Sequence, residues 1–186
     1  GFITTSNEKL NRLIQNTLWG QKGNFLDVPT DCPQRDERLG WTGDAQVFCA
    51  TASYHMYTPG FYRKYLKDML FEQREHEGGV PYVVPDVLSI VRRRHGEPEP
   101  DIRKNRWGEY GSCAWGDAAT VIPWTMYEFY GDKKRLEEAY PNMKEWTDFI
   151  IRVDNDLCGG ARLWKIGFHF ADWLALDNPD PESCFG

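Results

Sequence analysis

Apolar residues recur at spacings of three and four along most of this chain, and nowhere does a convincing alternation at two replace them. That period places one face of each segment in a core and restricts the fold to packed helices. The first segment opens at Ser6 or Asn7, either able to cap a helix, and carries Leu10, Leu13, Ile14 and Leu18 before stopping around Gly20. A second runs from about Thr42 to Tyr57 with Ala45, Phe48, Cys49, Ala52 and Met56 on one face. Pro59-Gly60 starts a third, striped by Tyr62, Tyr65, Leu66, Met69 and Leu70 and ended by Glu77-Gly78-Gly79.

A long irregular stretch follows to about Ala114, broken by Pro81, Pro85, Pro98 and Pro100. Loops of such length in a compact domain usually serve a function or lack order. A fourth helix is expected over about Gly116–Tyr130, with Pro123 as its true start or a kink. Asp132 then caps a short helix to Ala139. Pro141 is expected to break that helix and begin another, striped by Met143, Trp146, Phe149, Ile150 and Val153. Leu163 to Phe170 could hold a short extended piece. No repeat of fixed period argues for a solenoid. Helix, short turn, helix and long loop together predict stacked αα-hairpins, an all-α bundle or toroid with its working residues on loops at one end.

At 186 residues the chain has the length of one domain. Its 15% aromatic content exceeds what such a core requires, and aromatic faces suit the C–H faces of sugar rings; an aromatic-rich core is the plainer account. A net charge of −6 gives no general attraction to nucleic acid or to an anionic membrane. The basic run Arg92-Arg93-Arg94-His95, next to Glu97 and Glu99, reads as a solvated loop. No apolar run approaches a membrane span, and no leader of basic and then apolar residues is visible. Five scattered cysteines without a CxxC pair suggest neither a zinc site nor a disulfide framework.

Chemistry concentrates at residues 31–44, Asp-Cys-Pro-Gln-Arg-Asp-Glu-Arg-Leu-Gly-Trp-Thr-Gly-Asp, just ahead of the second helix. Glycoside hydrolysis needs one carboxylic acid to protonate the leaving oxygen and a second to activate water. A carboxyl with a raised pKa beside Arg and Trp fits the first role. Residue types alone fit a capped, salt-bridged loop equally well, and Asp44 would favour a first helical turn in any case. Trp124 and Trp146 lie at core spacing. His169 reads as a structural histidine, and His76 and His95 as solvent-facing. Trp107 and Tyr82 stay open between cleft and core.

The order and spacing of that fourteen-residue string resemble the acid-bearing motif of the bacterial α-L-rhamnosidases, glycoside hydrolase family 78. Similar to the same family are Ala114-Trp115-Gly116-Asp117-Ala118-Ala119 through Pro123-Trp124, Tyr130-Gly131-Asp132, Tyr140-Pro141-Asn142-Met143-Lys144-Glu145-Trp146, and Ala171-Asp172-Trp173-Leu174. The resemblance covers most of the chain and implies part of an (α/α)6 barrel. It implies Glu37 as general acid, and Asp31, Arg35 and Asp44 as hydrogen-bonding partners of the rhamnose hydroxyls. Trp41, Trp115 and Trp173 would wall the pocket, while Asp117 and Asp172 would bind sugar or cap loops. Ala171 stands where the family usually has Gly, which weakens the match at Trp173.

The implied reaction removes terminal α-L-rhamnosyl residues with inversion and requires no metal or organic cofactor. The expected partners are a rhamnose-containing glycoside or polysaccharide and the remainder of the barrel. The family's general base is a later Glu that the chain ends before reaching, and a complete six-hairpin barrel needs roughly twice this length. Another six-hairpin glycosidase, such as a glucoamylase-like enzyme, and a sugar-binding module without turnover remain the alternatives.

Overall fold

A computed structural model describes residues 3–98, 110–164, 166–171, 173 and 177. Among the described residues six helices form: α1 Glu8–Asn24, α2 Thr42–His55, α3 Pro59–Glu75, α4 Val87–Arg94, α5 Ala118–Tyr130 and α6 Lys133–Leu157. The described residues contain only isolated β-bridges, at Phe25–Pro29, Trp41–Val83 and Pro81–Tyr110. None of the described helices is long and apolar enough to cross a membrane.

Local chemistry accounts for most helix ends. The Asn7 side chain accepts from the amides of Lys9 and Leu10 and so caps α1. Pro59 starts α3, where its missing N–H costs nothing. Asp86 caps α4 by accepting from Ser89 N, and Asp132 caps α6 by accepting from Arg135 N. Gly131 ends α5 in the left-handed region, at φ 66°.

Packing runs α2 on α5, α5 on α6, and α3 on both α5 and α6. The core holds Ala45, Cys49 and Ala52 from α2, Tyr62, Tyr65, Leu66 and Met69 from α3, Ala118, Ala119, Ile122 and Met126 from α5, and Trp146, Phe149 and Val153 from α6. These are the stripes that helical spacing predicts. α1 differs: Leu10 and Leu13 are exposed, Leu13 by 60%, although Gln21 at the other end is buried and donates from Nε2 to Ala52 O at 3.2 Å.

Several expectations are corrected. α1 passes through Gly20 to Asn24, and open space surrounds Gly20. The basic run does not lie in a loop but forms the last turn of α4, where cations favour the negative helix end, and Arg92 pairs with Glu97 at 3.1 Å. Pro141 does not break the chain into two helices; it lies inside α6. The buried neighbour Asn142 explains this by donating from Nδ2 to Leu66 O (2.8 Å) and Gln73 Oε1 (3.0 Å), while Gln73 Nε2 donates to Asn142 O (3.1 Å). Three buried hydrogen bonds across α3 and α6 outweigh the local preference of proline. Trp124 is 49% exposed rather than core, unlike Trp146 at 1%. His76 is not free in solvent: its Nε2 lies 2.9 Å from Asp86 Oδ2, and its ring stacks on Tyr110.

Candidate active site

The acidic loop closes on itself before it leads into α2. Asp31 N donates to Leu39 O at 3.0 Å, and Leu39 N returns a bond to Asp31 Oδ1 at 3.3 Å. Inside this clamp, Arg35 N donates to Cys32 O, Glu37 N to Arg35 O, and Arg38 Nε to Pro33 O. Cys32 and Arg38 take positive φ values of 38° and 57° to make the turns. Beyond the clamp, Val84 N donates to Gly40 O at 2.9 Å, and a Cβ at Gly40 would collide with Val84 O, so only glycine fits there. Thr42 N and Oγ1 both donate to Tyr82 O, which fixes the start of α2 against the 80–84 segment.

Glu37 is thereby turned back toward α2. Its Oε1 accepts from Trp41 Nε1 at 3.0 Å, and its Oε2 accepts from Arg35 Nε at 2.8 Å and lies 2.5 Å from Nη2. The Glu37 side chain remains 23% exposed. The carboxyl is ion-paired but lies against an indole, not in bulk water. Asp31 also hydrogen-bonds Glu37, which is the largest cause holding Glu37 below the usual carboxylate range. Burial, followed by that same hydrogen bond, pushes Asp31 up to about 6. Asp44, in the first turn of α2, has an exposed side chain crowded closely enough for desolvation to raise its pKa, with the Glu37 charge adding to the rise.

The aromatic wall converges on one residue that the sequence did not single out. Phe170 is buried and stacks on Trp115, with centroids 4.1 Å apart. It meets Trp41, Trp173 and Tyr82 edge-on at 6.0, 5.5 and 5.1 Å. Its signal was only its neighbourhood, an aromatic run just before Trp173. His169 sets its position: Cys113 N donates to His169 Nδ1 at 3.0 Å, so the hydrogen sits on Nε2, which donates to Ile166 O at 3.0 Å. The structural reading of His169 therefore stands. Tyr82, left open by the sequence, is buried against Phe170.

A cleft of about 680 Å³ opens beside this wall, within the range of small-molecule sites. Asp31, Asp44, Trp115 and Trp173 line it together with Cys32, Gln21, Asn24, Phe25 and Phe48. Glu37, Arg35 and Trp41 are not among its lining residues and join it through the Asp31–Glu37 bond. Trp115 Nε1 is buried without a partner. Asp117 is engaged within the protein, its Oδ1 accepting from Trp146 Nε1 and its Oδ2 from Ala114 N, each at 2.9 Å. It thereby fixes the turn that presents Trp115. Asp172 lies outside the described residues, as does Trp107.

Two groups bring three ligand-type atoms within 4.8 Å of one another: Asp31-Cys32-Glu37 and Glu72-His76-Asp86. Carboxylate atoms of both are already engaged. Glu37 is bound by Arg35 and Trp41, while Asp86 is bound by His76 and Ser89, and Glu72 Oε1 accepts from Asp86 N. They fit internal networks better than a metal's ligand set.

Residues 1–184 match the family model of the bacterial alpha-L-rhamnosidase 6 hairpin glycosidase domain. The alpha-L-rhamnosidase of Alteromonas sp. (strain LOR) is 46% identical over 180 residues, spanning 96% of this chain and 16% of that protein. The native α-L-rhamnosidase structure from Aspergillus terreus superposes with TM-score 0.74 at 42% identity, over 95% of this chain and 18% of that one. The Streptomyces avermitilis α-L-rhamnosidase structure, complexed with L-rhamnose, gives 0.71 at 35% identity over 92% and 14%. The chain thus spans less than a fifth of the length of each of these relatives.

Proposed function

The chain belongs to the bacterial α-L-rhamnosidase six-hairpin glycosidase family, and from that premise we propose that it supplies the acid half of an inverting active site acting on terminal, non-reducing α-L-rhamnosyl residues. Glu37 delivers the proton to the glycosidic oxygen as the bond to the anomeric carbon breaks. Water attacks the opposite face and loses its proton to a carboxylate contributed by chain beyond these residues, ~6.5–9.5 Å from the acid. Asp31, Arg35 and Asp44 hold ring hydroxyls, which supplies orientation. Trp115, Trp173 and Trp41, arranged around Phe170, present the apolar wall for the sugar's C–H face and its methyl group. Asp117 acts as a positioning residue through Trp115, and Asp172 serves as a further sugar-binding residue. The reaction requires no metal or organic cofactor. The rest of the barrel is the chain's structural partner and covers the open side of α1.

The observation that carries this reading is Glu37 held between an indole and a guanidinium, hydrogen-bonded to a carboxyl on the lip of an aromatic cleft. A panel of aryl glycosides tests it on the full-length protein that contains this chain. Release from the α-L-rhamnoside is expected, and release from the glucoside alone would overturn the assignment. Glu37→Gln is expected to lower kcat about 10²–10⁴-fold on poor leaving groups and far less on a dinitrophenyl glycoside, which needs no protonation. The isolated chain is expected to bind rhamnose, read by Trp fluorescence, with little or no turnover.

A further inference from the structure

Both Glu37 oxygens face N–H donors: Oε1 faces the Trp41 indole, and Oε2 faces the Arg35 guanidinium at two nitrogens. Donors on both oxygens stabilise the charged form, the opposite of what a proton donor needs. An Asp31 carboxyl oxygen nevertheless lies within 4.8 Å of this carboxylate, and two carboxyl groups this close hold one proton between them more readily than two charges. Asp31 receives the long 3.3 Å bond from Leu39 N and the weakly donating Cys32 thiol, a poorer set than the three N–H donors facing Glu37, so the shared proton belongs on Asp31.

We propose that Asp31 is the proton store of the general acid: the empty site keeps its single proton on Asp31, and sugar binding transfers it to Glu37. This rests on the reading of Glu37 given above. Hydroxyls that donate to Asp31 favour its charged form, and Arg35, exposed and held chiefly by Glu37, turns to the same hydroxyls and releases the acid. The proton then passes from the Asp31 oxygen to Glu37, and from Glu37 to the glycosidic oxygen, which leaves with the bonding electron pair. The attacking water gives its own proton to the general base. Both carboxyls of the pair are then charged and in contact, and their repulsion draws a proton from solvent back to Asp31.

The groups facing this pair are Arg35 and the Cys32 thiol, which favour the charged forms, and Asp44, which does not. The opposite displacements of Asp31 and Glu37 agree with one proton titrating from the pair as a unit.

The test is the pH profile of kcat/KM for Asp31→Asn in the full-length protein, on an aryl rhamnoside with a poor leaving group. The proposal expects the alkaline limb to move at least about one pH unit toward acid, because Glu37 would then hold its proton alone beside Arg35. A raised KM with the limb unmoved would make Asp31 only a hydroxyl ligand and overturn the proposal. Should the variant misfold by near-UV circular dichroism, the Trp41 indole N–H resonance of the unaltered protein answers instead. It should shift with an inflection near the pair's titration in the free protein, and rhamnose should displace that inflection; an inflection unmoved by rhamnose overturns the proposal. Failure of Glu37 itself is told apart by the leaving-group dependence of Glu37→Gln.

Discussion

Gly43 lacks a side chain because Trp115 occupies the space: a Cβ there would lie 2.6 Å from the indole Cε2 and 2.7 Å from Cδ2. Alanine would bring about 1 kcal/mol of helix propensity to α2, against overpacking of about 1–3 kcal/mol on a ring also stacked on Phe170. Strain is the larger effect. Gly43→Ala should therefore lower Tm by a few degrees and weaken rhamnose binding several-fold, both measurable by Trp fluorescence; unchanged binding would remove Trp115 from the sugar wall. At this scale the sequence displayed the acidic loop, since carboxylates, arginines and indoles were crowded into fourteen residues. It could not display the partners those residues chose. That Glu37 pairs with Arg35 and Asp31, and Asp117 with Trp146, depends on turns with positive φ and on contacts reaching across the chain.

Helix α6 shows how elements obey tertiary anchors over local preference. Proline at position 141 removes one amide donor, but Asn142 secures the same turn to α3 through Leu66 O and Gln73. Asn142→Ala should destabilise the protein by about 2–3 kcal/mol in urea unfolding, because it leaves a buried Gln73 oxygen without its donor. Pro141→Ala, which restores a helical N–H, should cost nothing and stabilise by up to ~1 kcal/mol. Equal losses from the two substitutions would disprove the anchoring account. The stripes on α2, α3 and α6 were legible because period alone selects a buried face. Helix α4 was not, since eight residues ending in three arginines show too little apolar period to separate a helix from a loop.

Among the described residues, α1 leaves Leu10, Leu13 and Trp19 exposed. Under the proposed function, with the chain matching a small fraction of much longer relatives, this face is the seam against further hairpins. A Leu10→Glu, Leu13→Glu double variant should leave the Tm of the isolated chain nearly unchanged. In the full-length protein it should cost at least about 2 kcal/mol per position, read by chemical denaturation. Equal, small effects in both settings would show that the seam stays open. The helical class and the hairpin arrangement followed from period and loop length, whereas Trp124 was misplaced because an outward indole keeps the same spacing as an inward one.

Phe170 gathers indoles that enter the chain far earlier, at Trp41 and Trp115. Synthesis proceeds from the N-terminus, so a ribosome will have released every residue of the acidic loop and of α1 to α6 before the ring that meets both indoles emerges. A nascent polypeptide stalled at the end of α6 would therefore hold Trp41 and Trp115 without the ring on which they meet.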